Sequence, residues 1–257
     1  MKTSQTIVIA IVSYVFFLLI LTPASTIVAQ LDLPPKRVSL DNVTGSIWSG
    51  NIDHAVINRQ SVNNIQWSLS PWSLLVASIN SDIEADVFNN RVNTNLDYSL
   101  LSSQIRLTDV KSTINASDIQ KQLNLPFGEL HGVIQVNAEQ VDIIPKSLPA
   151  ISALISWKKA QLTLAEKISF GDLFLRLSPA DNGDLAGELS NIGGQLSIKG
   201  TIKVTAKQIY TLNVRLTPRA NASAELLSIV KLVAPKKKAN EHIINRSGHL
   251  RQLGIKL

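Results

Sequence analysis

Beyond residue 38, apolar and polar positions alternate with a period of two over most of the chain, as half-buried β-strands require. The clearest stretch is residues 196–206. Leu196, Ile198, Gly200, Ile202, Val204 and Ala206 share one face, and Ser197, Lys199, Thr201, Lys203 and Thr205 the other. After a turn at Lys207 and Gln208, Tyr210, Leu212, Val214 and Leu216 alternate with Thr211, Asn213, Arg215 and Thr217. This pattern predicts a hairpin. A second hairpin is predicted where Ile79, Ile83, Ala85 and Val87 give way, across Asn89 and Asn90, to Val92, Leu96, Tyr98 and Leu100. The change of parity marks the turn, because a one-residue slip would expose the whole apolar set. Further strands are expected at residues 44–48, 54–58, 63–69, 104–110, 131–138, 159–164, 168–177 and 184–190. Short helices are expected after Ser70 and Pro71, after Ser117 and over residues 221–233, before Pro235.

One side of each strand is aliphatic and the other rich in Ser, Thr and Asn, which suits an antiparallel sheet covered on one face. The expected fold is all-β and predominantly antiparallel: a curved sheet, a sandwich or a half-barrel with a few short connecting helices. Two sheets sharing a core are the ordinary solution for such a face. A loose internal echo pairs Gly45 and Gly50, followed by Trp67, with Gly128 and Gly132, followed by Trp157.

The start of the chain departs from this pattern. No charge lies between Lys2 and Asp32, and residues 7–21 read IVIAIVSYVFFLLIL. A helix over residues 7–28 would rise about 33 Å, enough to cross a hydrocarbon core of about 30 Å. Lys2 precedes the run, so the amino terminus is expected in the cytoplasm and the bulk is expected to be exported. Cleavage near Ala29 is the competing reading; the length of the uncharged stretch favours an uncleaved anchor. Residues 1–31 are thus read as cytoplasmic tip and transmembrane helix. Residues 32–37, with Pro34 and Pro35, form an extended linker, and residues 38–257 an exported β-rich domain.

Charge and composition narrow the chemistry. The net charge of +6 is unevenly spread: residues 32–198 carry 12 Lys/Arg against 17 Asp/Glu, and residues 199–257 carry 12 against 2. For an exported chain the basic tail suits lipid headgroups or an acidic partner, and nucleic acid is not expected. There are no cysteines, and the four histidines stand singly, which leaves no thiolate metal site or thiol nucleophile. Asp82, Glu84 and Asp86 form a solvated strand face and lack the distinct environments of a glycosidase pair. No G-x-S-x-G elbow, Walker A run or G-x-G-x-x-G occurs. The chain is expected to be no enzyme, with no cofactor and no small-molecule substrate.

Five runs are distinctive. GSIWSG supplies Gly45, Ile47, Trp48, Ser49 and Gly50, and WSLSPWSLL supplies Trp67, Pro71, Leu74 and Leu75. LSNIGGQLSIKG contains Asn191, Gly193 and Gly194, LTPR contains Pro218 and Arg219, and SGHL contains Ser247 and Gly248. In this order the chain resembles type II secretion system protein N, a component of the general secretion pathway of Gram-negative bacteria. It departs from that pattern at His249, where arginine is expected, and at the basic run PKKKANE.

The resemblance implies a single-pass inner-membrane protein whose periplasmic domain supports export of folded proteins across the outer membrane. Its partners would be other secretion subunits and inner-membrane lipid. The motif residues are structural or partner-binding in this reading, with the 196–216 hairpin among the candidate docking edges. An anchored sheet with an aliphatic face also resembles AsmA-like lipid-binding or lipid-transfer modules, the alternative function.

Overall fold

The computed structural model describes residues 7, 13–14, 17, 21–30, 34, 38–57, 60–87, 90–123, 128–234, 236–238 and 240–253. They fall into two compact units, Met1–Leu101 and Ser102–Leu257. The predicted anchor lies mostly outside the described residues. Among the described residues no helix is long and apolar enough to cross a membrane.

In the first unit, helix α1 (Ala24–Gln30) precedes five strands: β1 (Val38–Gly45), β2 (Ser49–Ile57), β3 (Gln60–Ser70), β4 (Ser78–Val87) and β5 (Asn90–Ser99). Each pairs antiparallel with the next. The expected strand at residues 44–48 is instead broken by a turn. Ser46 N–H donates to the Ser49 carbonyl at 2.9 Å, and Ser46 Oγ accepts from the amides of Trp48 and Ser49. Asn42 and Asn64 adopt left-handed conformations, at φ 54° and 49°. They switch the strand parity, so Leu40, Ala55 and Val62 form one cross-strand row while Val43, Ile52 and Ile65 form another. Simple alternation fails at those two residues for that reason.

In the second unit the strands are β6 (Ile105–Asn115), β7 (Glu129–Ile143), β8 (Ala150–Thr163), β9 (Lys167–Pro179), β10 (Leu185–Ile192), β11 (Leu196–Val204), β12 (Ile209–Pro218), β13 (Lys236–Lys238) and β14 (Glu241–His249). They form antiparallel neighbours in sequence order as far as β12, which then pairs with β14, and β14 with β13. The predicted hairpin pairs Ile202 with Leu212 and Ile198 with Leu216. It is not an edge: β10 and β14 flank it on either side. β14 replaces it as an outer strand. No strand pairs with the free side of residues 243–249 among those described.

Among the described residues this unit does not form the two-sheet core expected from the aliphatic face. Its strands belong to a single sheet, and a helix covers part of the face. Helix α2 (Ala116–Leu123) connects β6 and β7; α3 (Ala224–Val233) follows β12. Leu226, Val230 and the following Ala234 pack on Ile168, Leu196, Ile198, Val214 and Leu216. The Ser223 side chain caps α3 by accepting from Leu226 N–H at 3.2 Å. Beyond the helix, the same face continues through half-buried Leu175, Leu189, Ile202 and Leu212.

Candidate functional site

The GSIWSG run forms the β1–β2 turn, and Trp67 completes it from β3. Gly45 and Gly50 are cross-strand partners, as are Gly50 and Trp67. Trp67 Nε1 donates to the Ile47 carbonyl at 3.2 Å, and Leu69 N–H donates to the Trp48 carbonyl at 2.6 Å. Trp48 and Trp67 are both half-buried, held in the turn rather than displayed. Ile47 and Ser49 complete the tip.

The WSLSPWSLL run ends in a 3₁₀ turn, Pro71–Val76, between β3 and β4. Ser70 precedes it as expected, but its hydroxyl makes no capping bond; Ser73 Oγ donates to the Ser70 carbonyl at 2.7 Å instead. The turn closes with Ala77 at φ 53°, whose carbonyl accepts from Leu100 N–H at 3.0 Å. That bond brings the end of β5 beside the turn. Trp72, Leu75, Val76 and Leu101 there are 77%, 79%, 73% and 86% exposed, with Leu74 and Leu100 also exposed. Apolar side chains gathered like this mark a contact surface.

Asn191 organises the LSNIGG turn. Its side-chain amide donates to the carbonyls of Phe170 at 2.7 Å, Gly193 at 3.1 Å and Leu196 at 2.7 Å, while its oxygen accepts from Ile198 N–H at 2.7 Å. Gly193 and Gly194 both have positive φ, and Gly194 lies against Gly171 N at 2.6 Å from where its side chain would begin. Both ends of the Asn191 side-chain amide are committed to holding this turn, so Asn191 is a structural joint. Pro218 pairs with Leu196 at the end of β12, and Arg219 N–H donates to the Gln195 carbonyl at 3.0 Å. Ser247 and Gly248 pair with Thr211 and Tyr210 in β14. His249, the departure from the resemblance, ends that strand. The side chains of the PKKKANE run at residues 235–239 lie outside those described.

The structure therefore does not bring the motif residues to one chemical centre. Those of the first two runs share one end of the first unit; the others close turns and strand ends in the second. Among the described residues no three His, Cys, Asp or Glu side chains converge as metal ligands. Sequence reasoning missed the exposed patch as a cluster, because Leu100 and Leu101 join it only through the Ala77 contact.

Residues 36–242 match the family model for "Type II secretion system (T2SS), protein N". The chain belongs to that family. A 65-residue stretch is 40% identical to the type II secretion system protein N of Aeromonas hydrophila. That stretch is 25% of this chain and 26% of the relative, so the match spans about a quarter of the curated protein's length. No solved structure matches the chain.

Proposed function

We propose that the chain is a non-enzymatic, inner-membrane-anchored component of the type II secretion machinery, supporting passage of folded proteins across the outer membrane. The family match over residues 36–242 carries this reading. The uncharged apolar leader supports a single-pass anchor in residues 1–31, a cytoplasmic amino terminus, a linker at 32–37 and a periplasmic domain in 38–257. The motif residues act in this domain as turn and joint formers that hold its strands in register. Contact with other secretion subunits runs through the free side of β14, where an extended segment of a partner can add its backbone hydrogen bonds. Arg246 and Ser247 are exposed along that strand.

A strain lacking the gene, grown where the machine is expressed, is expected to retain exoproteins in the periplasm while their inner-membrane export is unchanged. Unaltered secretion by that strain refutes a required role. The aliphatic face that continues past α3 favours one second reading, a lipid-binding module. Lipid copurifying with the chain, and lost when Ile202→Asp charges that face, would replace the first reading with it.

A further inference from the structure

The exposed turn Pro71–Val76 lies at a particular end of its sheet. Strands β1 to β5 are antiparallel neighbours, so the β1–β2 turn, the end of β3, the start of β4 and the end of β5 share one end. The chain enters there as well: Pro23 forms a bridge with Ser46 in the β1–β2 turn. Pro23 immediately follows the apolar leader, in which Ile7, Tyr14, Phe17 and Leu21 are exposed. The exposed cluster of Trp72, Leu75, Val76 and Leu101 is therefore on the side from which the leader arrives.

We propose that this turn is a second membrane contact, a wedge that enters the outer-leaflet interface of the same bilayer that holds the leader. The composition selects lipid over protein. No charged residue occurs from Gln60 to Ser81 or from Tyr98 to Leu101, so the segments that form the patch bring no charge to be desolvated at the boundary between headgroups and acyl chains. Its most prominent member is a tryptophan, whose ring and N–H suit headgroup depth. A 3₁₀ turn ending in a left-handed Ala77 carries Trp72, Leu75 and Val76, each more than 70% exposed. Two attachments at one end, the leader where Pro23 bridges Ser46 and the wedge beside it, would fix the tilt of the first unit against the bilayer.

The inference rests on the anchor reading, and the two are tested separately in one experiment. The chain has no cysteine, so Tyr14→Cys, Gln60→Cys and Leu75→Cys each provide a unique labelling site in the full-length protein; Val76→Cys repeats the measurement on the same turn. Each variant carries an environment-sensitive fluorophore and is reconstituted in phosphatidylethanolamine–phosphatidylglycerol vesicles. Lipid-borne quencher is expected to quench the Tyr14 and Leu75 labels, the latter about threefold more than the Gln60 label at the opposite end of the sheet. Leu75 and Val76 labels as open to an aqueous quencher as Gln60, alongside a lipid-quenched Tyr14, overturn the wedge and leave the anchor standing. Shielding of Leu75 from both quenchers means a protein contact and also overturns it. A water-exposed Tyr14 label removes the anchor, and the wedge with it.

Discussion

Trp67 fills the space that a side chain at Gly50, its cross-strand partner, would need: an added Cβ would lie 2.5 Å from ring atom Cη2. Glycine there lets the indole reach the β1–β2 turn and donate to the Ile47 carbonyl. Gly50→Ala is expected to destabilise the first unit by about 1–3 kcal/mol through overpacking. Trp67→Phe, which keeps most of the ring and loses the donor, should cost about 1 kcal/mol. Urea unfolding of the purified variants measures both.

The second unit repeats the device. Trp157 Nε1 donates to the His131 carbonyl at 3.0 Å, and its ring nitrogen lies 2.9 Å from where a side chain at Gly132 would begin. Gly132 carries the larger constraint, because its φ of 105° is closed to other residues and the Lys159 carbonyl stands 2.7 Å from the same point. Gly132→Ala should therefore lower the unfolding midpoint more than Gly50→Ala does. Equal shifts in the two variants would show that the left-handed backbone adds nothing to the clash.

This repeated pairing explains both what the sequence revealed and what it concealed. The glycine and tryptophan spacing was legible as an echo, since both units need a small residue under a large one. The hairpins at residues 79–100 and 196–217 were legible because unbroken alternation fixes their register. β14 was not: its positions opposite Leu216, Val214, Leu212 and Tyr210 are His242, Ile244, Arg246 and Gly248, which carry no aliphatic stripe, and pairing with β12 supplies what the pattern lacks. The strand expected at 44–48 failed because Trp48 reads as a strand residue while Ser46 caps a turn. The apolar cluster at Trp72 was hidden for a different reason. Its halves are separated in the chain by two full strands.

Asn191 offers a sharper test of the joint between β9, β10 and β11. Its replacement by alanine strips partners from the Phe170 and Leu196 carbonyls and from the Ile198 amide. Unsatisfied buried groups cost about 1–3 kcal/mol each, and water entering the turn recovers part of that. Asn191→Ala is expected to destabilise the second unit by about 2–3 kcal/mol. Asn191→Asp, which keeps the acceptor and loses the donors, should be no better than alanine. Thermal unfolding followed by circular dichroism gives the comparison.

Helix α3 is the main cover of the aliphatic face, and Leu226 is among its most deeply buried residues at 2% exposure. Leu226→Ala should cost about 2–5 kcal/mol. Leu232, on the same helix but 87% exposed, should tolerate alanine with a change below about 0.5 kcal/mol. If both substitutions had equally small effects, α3 would not be a structural cover, and the face beneath it would have to be stabilised by something else.

Acid sensitivity follows from Asp172 in β9. The backbone N–H of Lys159, at 2.8 Å, holds its carboxyl below the usual range, and the Lys158 ammonium at 3.2 Å adds to the effect. Lys159 is itself left-handed at φ 50°, so the carboxylate pins an irregular point of β8 where the β8–β9 register shifts. A carboxyl depressed in the folded state binds its proton more readily when unfolded. The stability it contributes is thus complete above the unfolded value of about 3.9 and is lost as pH falls through the lower folded value. Asp142, where burial raises the pKa but Arg106 and Gln140 outweigh it, adds to the same slope. The melting temperature should fall steeply on acidification below about pH 4. Asp172→Asn should melt lower than the native chain at neutral pH yet lose less on acidification, and parallel pH profiles for the two proteins would exclude this role for Asp172.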